Sequence, residues 1–494
     1  MRRSLRLGLA AIVASAALTS SPALPAQPAA APQTAAQWRQ AARADIEAAY
    51  ARFHRLHPGM HDPRGRAFAT RLRAARATGL RAVAAAGDQI GYRRALSRFT
   101  AALHDGHAGI LLPPLGRRDA LWPGFVTVWR GGRLLVAEGS GTGPPRGAEV
   151  LRCDGMPVRQ AIERQIFALS GRQAEAGQWE MRAPFLFMRT PLTAPDRPGR
   201  CTFRDQAGRG LDHGLAWSPM PEDARRRQAE ANAGPRGTIG LSEPRPGGYV
   251  IALPSFDPDA AGRAAYDRLF AALAAERERL AAGRFILIDL RHNGGGDSDW
   301  GERVAGLLWG EQAVQAAMAV YFRRTEIWWR TEPENIERLR GFATAARDRG
   351  DASAGASLTA RADAMAAAAA RGEPLFVQRI GGPGAEPSPA PRRLPPVYVL
   401  IHGMCASACL DAVDIFLRFP GVRLIGAPTS ADSDFMEIMI RPLPSGRASL
   451  VVPNKIWVNR PRASGTVYRP DVPVHDLIWS TDLFLDRIER DLRR

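Results

Sequence analysis

Apolar positions recur at three- and four-residue intervals through "AAQWRQAARADIEAAYARFHRLHP" and "GYRRALSRFTAALHDGH", which predicts helices across residues 36 to 104. The pattern then changes. "LWPGFVTVWRGGRLLVAEG" reads as two strands turning at Gly131 and Gly132, and "RGAEVLRCDGMPVRQAIERQI" as a strand, an Asp-Gly turn and a helix. From about residue 240, short apolar runs ("GGYVIALPSF", "RFILIDLRHNGGG", "PPVYVLIHG", "VRLIGAPT") alternate with helical patterns ("AAYDRLFAALAAERERLAAG", "SACLDAVDIFLRF"). Unbroken apolar strands separated by helices predict an α/β fold with a mostly parallel sheet covered on both faces.

This divides the chain into an N-terminal helical region (36–110), a β-rich module (118–235) and an α/β core (240–480). Residues 325 to about 390 are alanine-rich and without chemical motifs, and are expected to form a helical insertion in that core. The first 26 residues have three arginines, a run of small and apolar residues and "SPALPAQ", the layout of a signal peptide. The apolar run is short of the roughly 20 residues that a spanning helix needs. The expectation is a periplasmic or secreted protein with no stable membrane span after cleavage. An uncleaved N-terminal anchor is the alternative.

A formal charge of +18 raises the question of nucleic acid. Almost all of the positive charge is arginine, interleaved with acidic residues as in "AERERL" and "DRIERDLRR". A nucleic-acid surface needs clustered charge, so no such partner is expected. The single lysine, Lys455, is expected to be exposed and structural. Four cysteines in an exported chain permit disulfides. Cys405 and Cys409 flank Ser407 at a separation that a bridge can span, whereas a zinc site would need more ligands than His402 supplies. No metal or cofactor is expected.

Two segments carry candidate chemistry. "FILIDLRHNGGGDSD" is a central strand opening into Gly294–Gly296, whose N–H groups can turn toward a ligand without side-chain obstruction. It lacks the lysine of a P-loop and the spacing of a dinucleotide fingerprint. "HGMCASACLDAVD" is a strand-to-helix bend that would raise Ser407 at the sheet's carboxyl edge, with the Ala408 N–H facing the same space. An amide of Gly294 or Gly295 together with that of Ala408 would make an oxyanion hole.

The pair "LIDLRHNGGG" and "HGMCASACLDAVDIF" resembles the signature segments of the S41 serine peptidases, the tail-specific or C-terminal processing proteases. The resemblance covers roughly residues 90 to 475. It implies a ClpP/crotonase-like α/β core, a PDZ-like module at 118–235 around "PRGAEVLRCDGMPVRQAIER", and Ser407 as nucleophile. Cys405, Cys409 and Leu410 depart from the family pattern, while Arg291 and Asn293 match it. Where one branch places a lysine base, this chain has Asp432. The other, tricorn-like branch takes a histidine from the N-terminal part, and "FTAALHDGHAGI" offers His107, with His104 as its competitor. A histidine can take the serine proton and return it to the leaving amine. Glu437, ahead of the "LPSG" turn, is expected to orient that ring, with Asp432 and Asp434 as competitors.

The resulting expectation is a serine endopeptidase that acts on an extended peptide or a C-terminal tail through an acyl-enzyme. The oligomeric state is not legible. A binding protein with a vestigial nucleophile, and an esterase of non-peptide acyl groups, are the competing readings.

Overall fold

The computed structural model describes residues 32–114, 120–139, 143–380 and 389–494. The expected signal peptide at 1–26 lies outside the described residues.

Helices α1 (Ala35–Leu56), α2 (Ala67–Val83) and α3 (Gln89–Leu103) bury the apolar faces that their periodicity predicts, including Ile46, Phe53, Leu72, Leu96 and Phe99. Thr34 and Gln37 form a capping box on α1, and Asp88 caps α3. These helices do not close on themselves. Their core takes in Phe435, Met439, Leu450, Val452 and Ile456 from near the other end of the chain. A short strand, β1 (Gly109–Leu111), follows them.

The module contains β2 (Val126–Arg130), β3 (Arg133–Glu138), β4 (Glu149–Cys153), helix α4 (Ala176–Arg182), β5 (Arg200–Arg204) and β6 (Gly210–Gly214). Its strands pair antiparallel in chain order. Gly131 and Gly132 take the positive φ values, 56° and 81°, that a two-residue hairpin loop demands. Cys153 and Cys201 sit opposite each other on β4 and β5 and are joined by a disulfide.

The core follows with β7 (Gly240–Arg245), β8 (Gly248–Ala252), α5 (Ala260–Ala275), β9 (Phe285–Asp289) and α6 (Asp299–Trp309). Next come β10 (Glu326–Arg330), α7 (Pro333–Asp348), α8 (Ala352–Ala370), β11 (Leu375–Arg379) and β12 (Val397–Ile401). Helix α9 (Ala408–Phe416), β13 (Val422–Gly426), β14 (Phe435–Pro442), β15 (Ser449–Val458), β16 (Val472–Pro473) and α10 (Thr481–Asp491) complete the chain.

One sheet runs β7-β8-β9-β12-β13-β16. The β7–β8 pair is antiparallel and the other pairs are parallel. Every residue of β9 and β12 is buried, because α5, α6 and α9 cover one face while Trp479 and α10 cover the other. A second, antiparallel sheet is built around β15, which pairs with β1, β10 and β14.

The expected helical insertion is only partly helical. It contains α7 and α8, but β10 and β11 flank them, pair with each other and join the second sheet through β15. The alanine periodicity of the helices conceals "EIWWR", whose strand partner lies far along the chain. Among the described residues no helix is long and apolar enough to cross a membrane. Among the same residues no three His, Cys, Asp or Glu side chains are grouped to hold a metal ion.

Candidate active site

Strands β9 and β12 are parallel neighbours, with Asp289 opposite Leu400, so the segments after their carboxyl ends emerge side by side. After β9, Arg291 folds back onto Asp289 in a buried pair, Nη2 to Oδ2 2.6 Å, which ties down the start of the loop. Fully buried Asn293 donates to the Leu253 carbonyl at 2.8 Å and accepts from the Gly295 N–H at 2.9 Å. After β12 the chain turns sharply, and Ser407 becomes the N-cap of α9 with φ 55° and ψ −128°. A left-handed φ on a residue that is not glycine costs of order 1–3 kcal/mol and persists only where its surroundings impose it. The Cys405–Cys409 disulfide straddles this residue.

The two loops touch. A Cβ added at Gly295 (φ 101°) would lie 2.9 Å from Ser407 Cβ and 2.6 Å from the Ala406 carbonyl oxygen. No other residue type fits there. The Gly295 N–H, however, is spent on Asn293 inside the loop, which corrects its expected place as an oxyanion donor. Gly294, which is exposed, and Ala408 are the candidate amides that remain.

His104 is exposed and forms the left-handed C-cap of α3, with φ 50°. Asp105 then accepts from the His107 N–H at 2.8 Å, a local turn that aims the chain into β1. The His107 ring is half-buried, and its Nδ1 is buried without a hydrogen-bond partner. A second carboxylate, Asp432, is close enough for the charge of His107 to act on it. Its Oδ1 accepts from the Ser407 N–H at 3.0 Å and its Oδ2 from Arg462 at 2.8 Å. Burial alone would raise the Asp432 carboxyl. The Arg462 guanidinium, then the charge of His107, and then Arg460 outweigh it and hold the group below its usual 3.8. Buried Arg462 also pairs with Asp411 and Asp414 of α9, at 2.6 and 2.9 Å.

Two expectations need correction. Lys455 is not exposed: it is 2% accessible and its Nζ lies 3.0 Å from Glu437 Oε2, over the ring of Trp329. Burial holds its amine below the usual range, with Glu437 opposing that effect. Glu437, at φ 64° on β14, is therefore committed to Lys455, and nothing places it on the His107 ring. Asp434, the other competitor, lies 3.6 Å from Arg64. Asp297, which directly follows the glycine run, is pushed upward, first by burial and then by the Asp299 carboxylate. Sequence reading passed over it, although "GGGDSDWGE" set three acids beside the loop.

Fold and site together define an α/β protein that holds a serine on a strained strand-to-helix elbow against a glycine loop. Over most of its length the chain resembles solved structures of mature CPAF. The one complexed with lactacystin is 14% identical with a TM-score of 0.60, over 92% of this chain and 97% of that one. A second is 13% identical with a TM-score of 0.59, over 92% and 96%. The photosystem II D1 C-terminal processing protease aligns at 12% identity and a TM-score of 0.33, over 90% and 95%. No family model and no curated protein matches. The CPAF likeness shows the fold.

Proposed function

We propose that this chain is an exported serine peptidase, periplasmic or secreted, which cleaves extended peptides or C-terminal tails through an acyl-enzyme on Ser407. The observation that carries this reading is the contact of Gly295 with the Ser407 elbow, at a position where only glycine fits. The fold shared with mature CPAF, solved with lactacystin bound, supports it.

Ser407 Oγ attacks the peptide carbonyl carbon while His107 takes its proton. The resulting oxyanion accepts from the Ala408 and Gly294 N–H groups, each such donor being worth about 10²–10³ in rate. As the tetrahedral species collapses, His107 returns the proton to the leaving amine. Water then attacks the acyl-enzyme with His107 again as base, which releases the acid and restores Ser407. Anionic Asp432 stabilises the imidazolium through its field. An extended substrate would add as a strand to the PDZ-like module at 118–235 or to the core.

A fluorophosphonate probe tests this reading. Labelling of Ser407 is expected in the parent and in His104→Ala, and is expected to vanish in Ser407→Ala and His107→Ala. An unlabelled parent would favour a binding protein on the same fold, and turnover of acyl esters without turnover of peptides would favour an esterase.

A further inference from the structure

The loop 171–175 of the module, with the start of α4 that follows it, reaches both halves of the candidate site. Arg172 sits in it at φ 65° with its side chain 18% exposed. Its guanidinium forks onto Glu175, Nε to Oε1 and Nη2 to Oε2, both 2.7 Å. Together the two side chains grip both backbone polar groups of a single residue, Ala431, in a distant loop. Arg172 Nη2 donates to the Ala431 carbonyl at 2.6 Å, and Glu175 Oε2 accepts from the Ala431 N–H at 2.9 Å. The next residue is Asp432.

The other edge of the guanidinium faces Gly106, the residue before His107. A Cβ built on Gly106 would fall 2.8 Å from Arg172 Nη1. The loop is seated on the same side at Gly171, where a Cβ would lie 2.5 Å from the Ala101 carbonyl oxygen at the end of α3. Helix α4 braces the opposite side. Gln178 donates to Ser430 Oγ at 2.7 Å, and Ser430 Oγ donates to the Gly403 carbonyl at 2.6 Å, on the chain leading to Ser407. One planar side chain thus fills the space between the turn that carries His107 and the loop that carries Asp432.

We propose that Arg172 is a positioning residue: held by Glu175, its fork sets the spacing between His107 and Asp432 and so aligns the base with Ser407. This rests on the peptidase reading above. A misplacement of about 1 Å in such a constellation costs about 100-fold in rate. Charge alone does not supply the function, because lysine cannot make the bidentate pair and hold the Ala431 carbonyl at once.

The test compares peptide turnover by the parent, Arg172→Lys, Arg172→Met and Gly106→Ala, with the exposed module substitution Arg209→Lys as control. Arg172→Lys and Arg172→Met are both expected to lower kcat by about 10- to 100-fold with KM within about twofold, below their melting temperatures. Gly106→Ala pushes on the pinned guanidinium from the His107 side and is expected to give a loss of the same kind. The double variant Arg172→Met/Gly106→Ala should then fall well short of the product of the two effects, since both act through one contact. Full rescue by lysine overturns the proposal, as does a lower melting temperature with unchanged kcat. If the parent neither turns over peptide nor labels, the peptidase reading falls. The clamp is then judged by crystal structures of the parent and Arg172→Lys. A displaced Asp432 relative to the His107 ring supports it, and an unchanged separation sinks it.

Discussion

The backbone N–H of Ser407 donates to Asp432 Oδ1, while Asp432 Oδ2 accepts from Arg462. The carboxylate therefore ties the elbow of the candidate nucleophile to a buried ion network under α9, and the charge of His107 helps to hold it below its usual range.

Asp432→Asn can keep the bond from the Ser407 N–H through its amide oxygen, but it loses the charge and turns an NH₂ toward Arg462. The expected outcome is a fall in kcat of about 10² to 10⁴, the range associated with a neutralised triad carboxylate. Glu437→Gln is expected to leave kcat within a few-fold. Peptide turnover by the two variants decides the assignment, and the reverse ranking would restore Glu437 to the triad.

Glu437 is expected to show itself in stability instead. Removing its charge strands the buried Lys455 ammonium, which should cost about 3–5 kcal/mol. The double variant Glu437→Leu/Lys455→Met removes both charges and should recover most of that loss or exceed the parent. Urea midpoints of the three proteins check this, and an unaltered midpoint in Glu437→Gln would refute the pairing.

The disulfides should differ in what they do. Cys153–Cys201 closes a chain separation of 48 residues and Cys405–Cys409 one of 4. By loop entropy their removal should cost about 4 and about 2 kcal/mol respectively. Only Cys405→Ala/Cys409→Ala is expected to slow fluorophosphonate labelling, since that ring holds Ser407 in its left-handed conformation. Equal labelling rates in both double variants would contradict this.

His57 and His402 give a pH dependence with a definite sign. Both are buried, 0% and 1% exposed. Burial, followed by a nearby arginine, holds His57 well below 6.5 and brings His402 down to about 3. The unfolded chain takes these protons first, so the stability tied to both rings is complete above 6.5. It is lost as the pH falls from there toward the folded-state values. Each ring should contribute about 1.4 kcal/mol per pH unit. Unfolding free energies measured between pH 7 and 5 should show a slope smaller by about one proton in His402→Gln. Identical slopes would mean that His402 is already charged in the folded chain.

Much of the fold was legible because its signals are local. The unbroken apolar runs at 285–289 and 397–401 became neighbouring buried strands, and Gly131–Gly132 became the hairpin turn. His104 fell to a helix cap while His107 stood beyond the turn. What escaped were partners distant in sequence. "EIWWR" is a strand only because β15 lies beside it, and Arg172 gave no signal, because its meaning lies in Gly106 and Ala431.

Sequence by itself determined where most strands, helices and tight turns form, and that one serine and one glycine run stand at strand ends. Those outcomes follow from side-chain periodicity and from backbone conformations open to few residue types. Tertiary structure alone decided which charges share a buried space: Lys455 with Glu437, Asp432 with Ser407 and Arg462, and Arg172 between two loops. A charge carries no periodicity. Its partner is chosen by the cost of leaving it alone where water is excluded, and that cost exists only once the chain has folded around it.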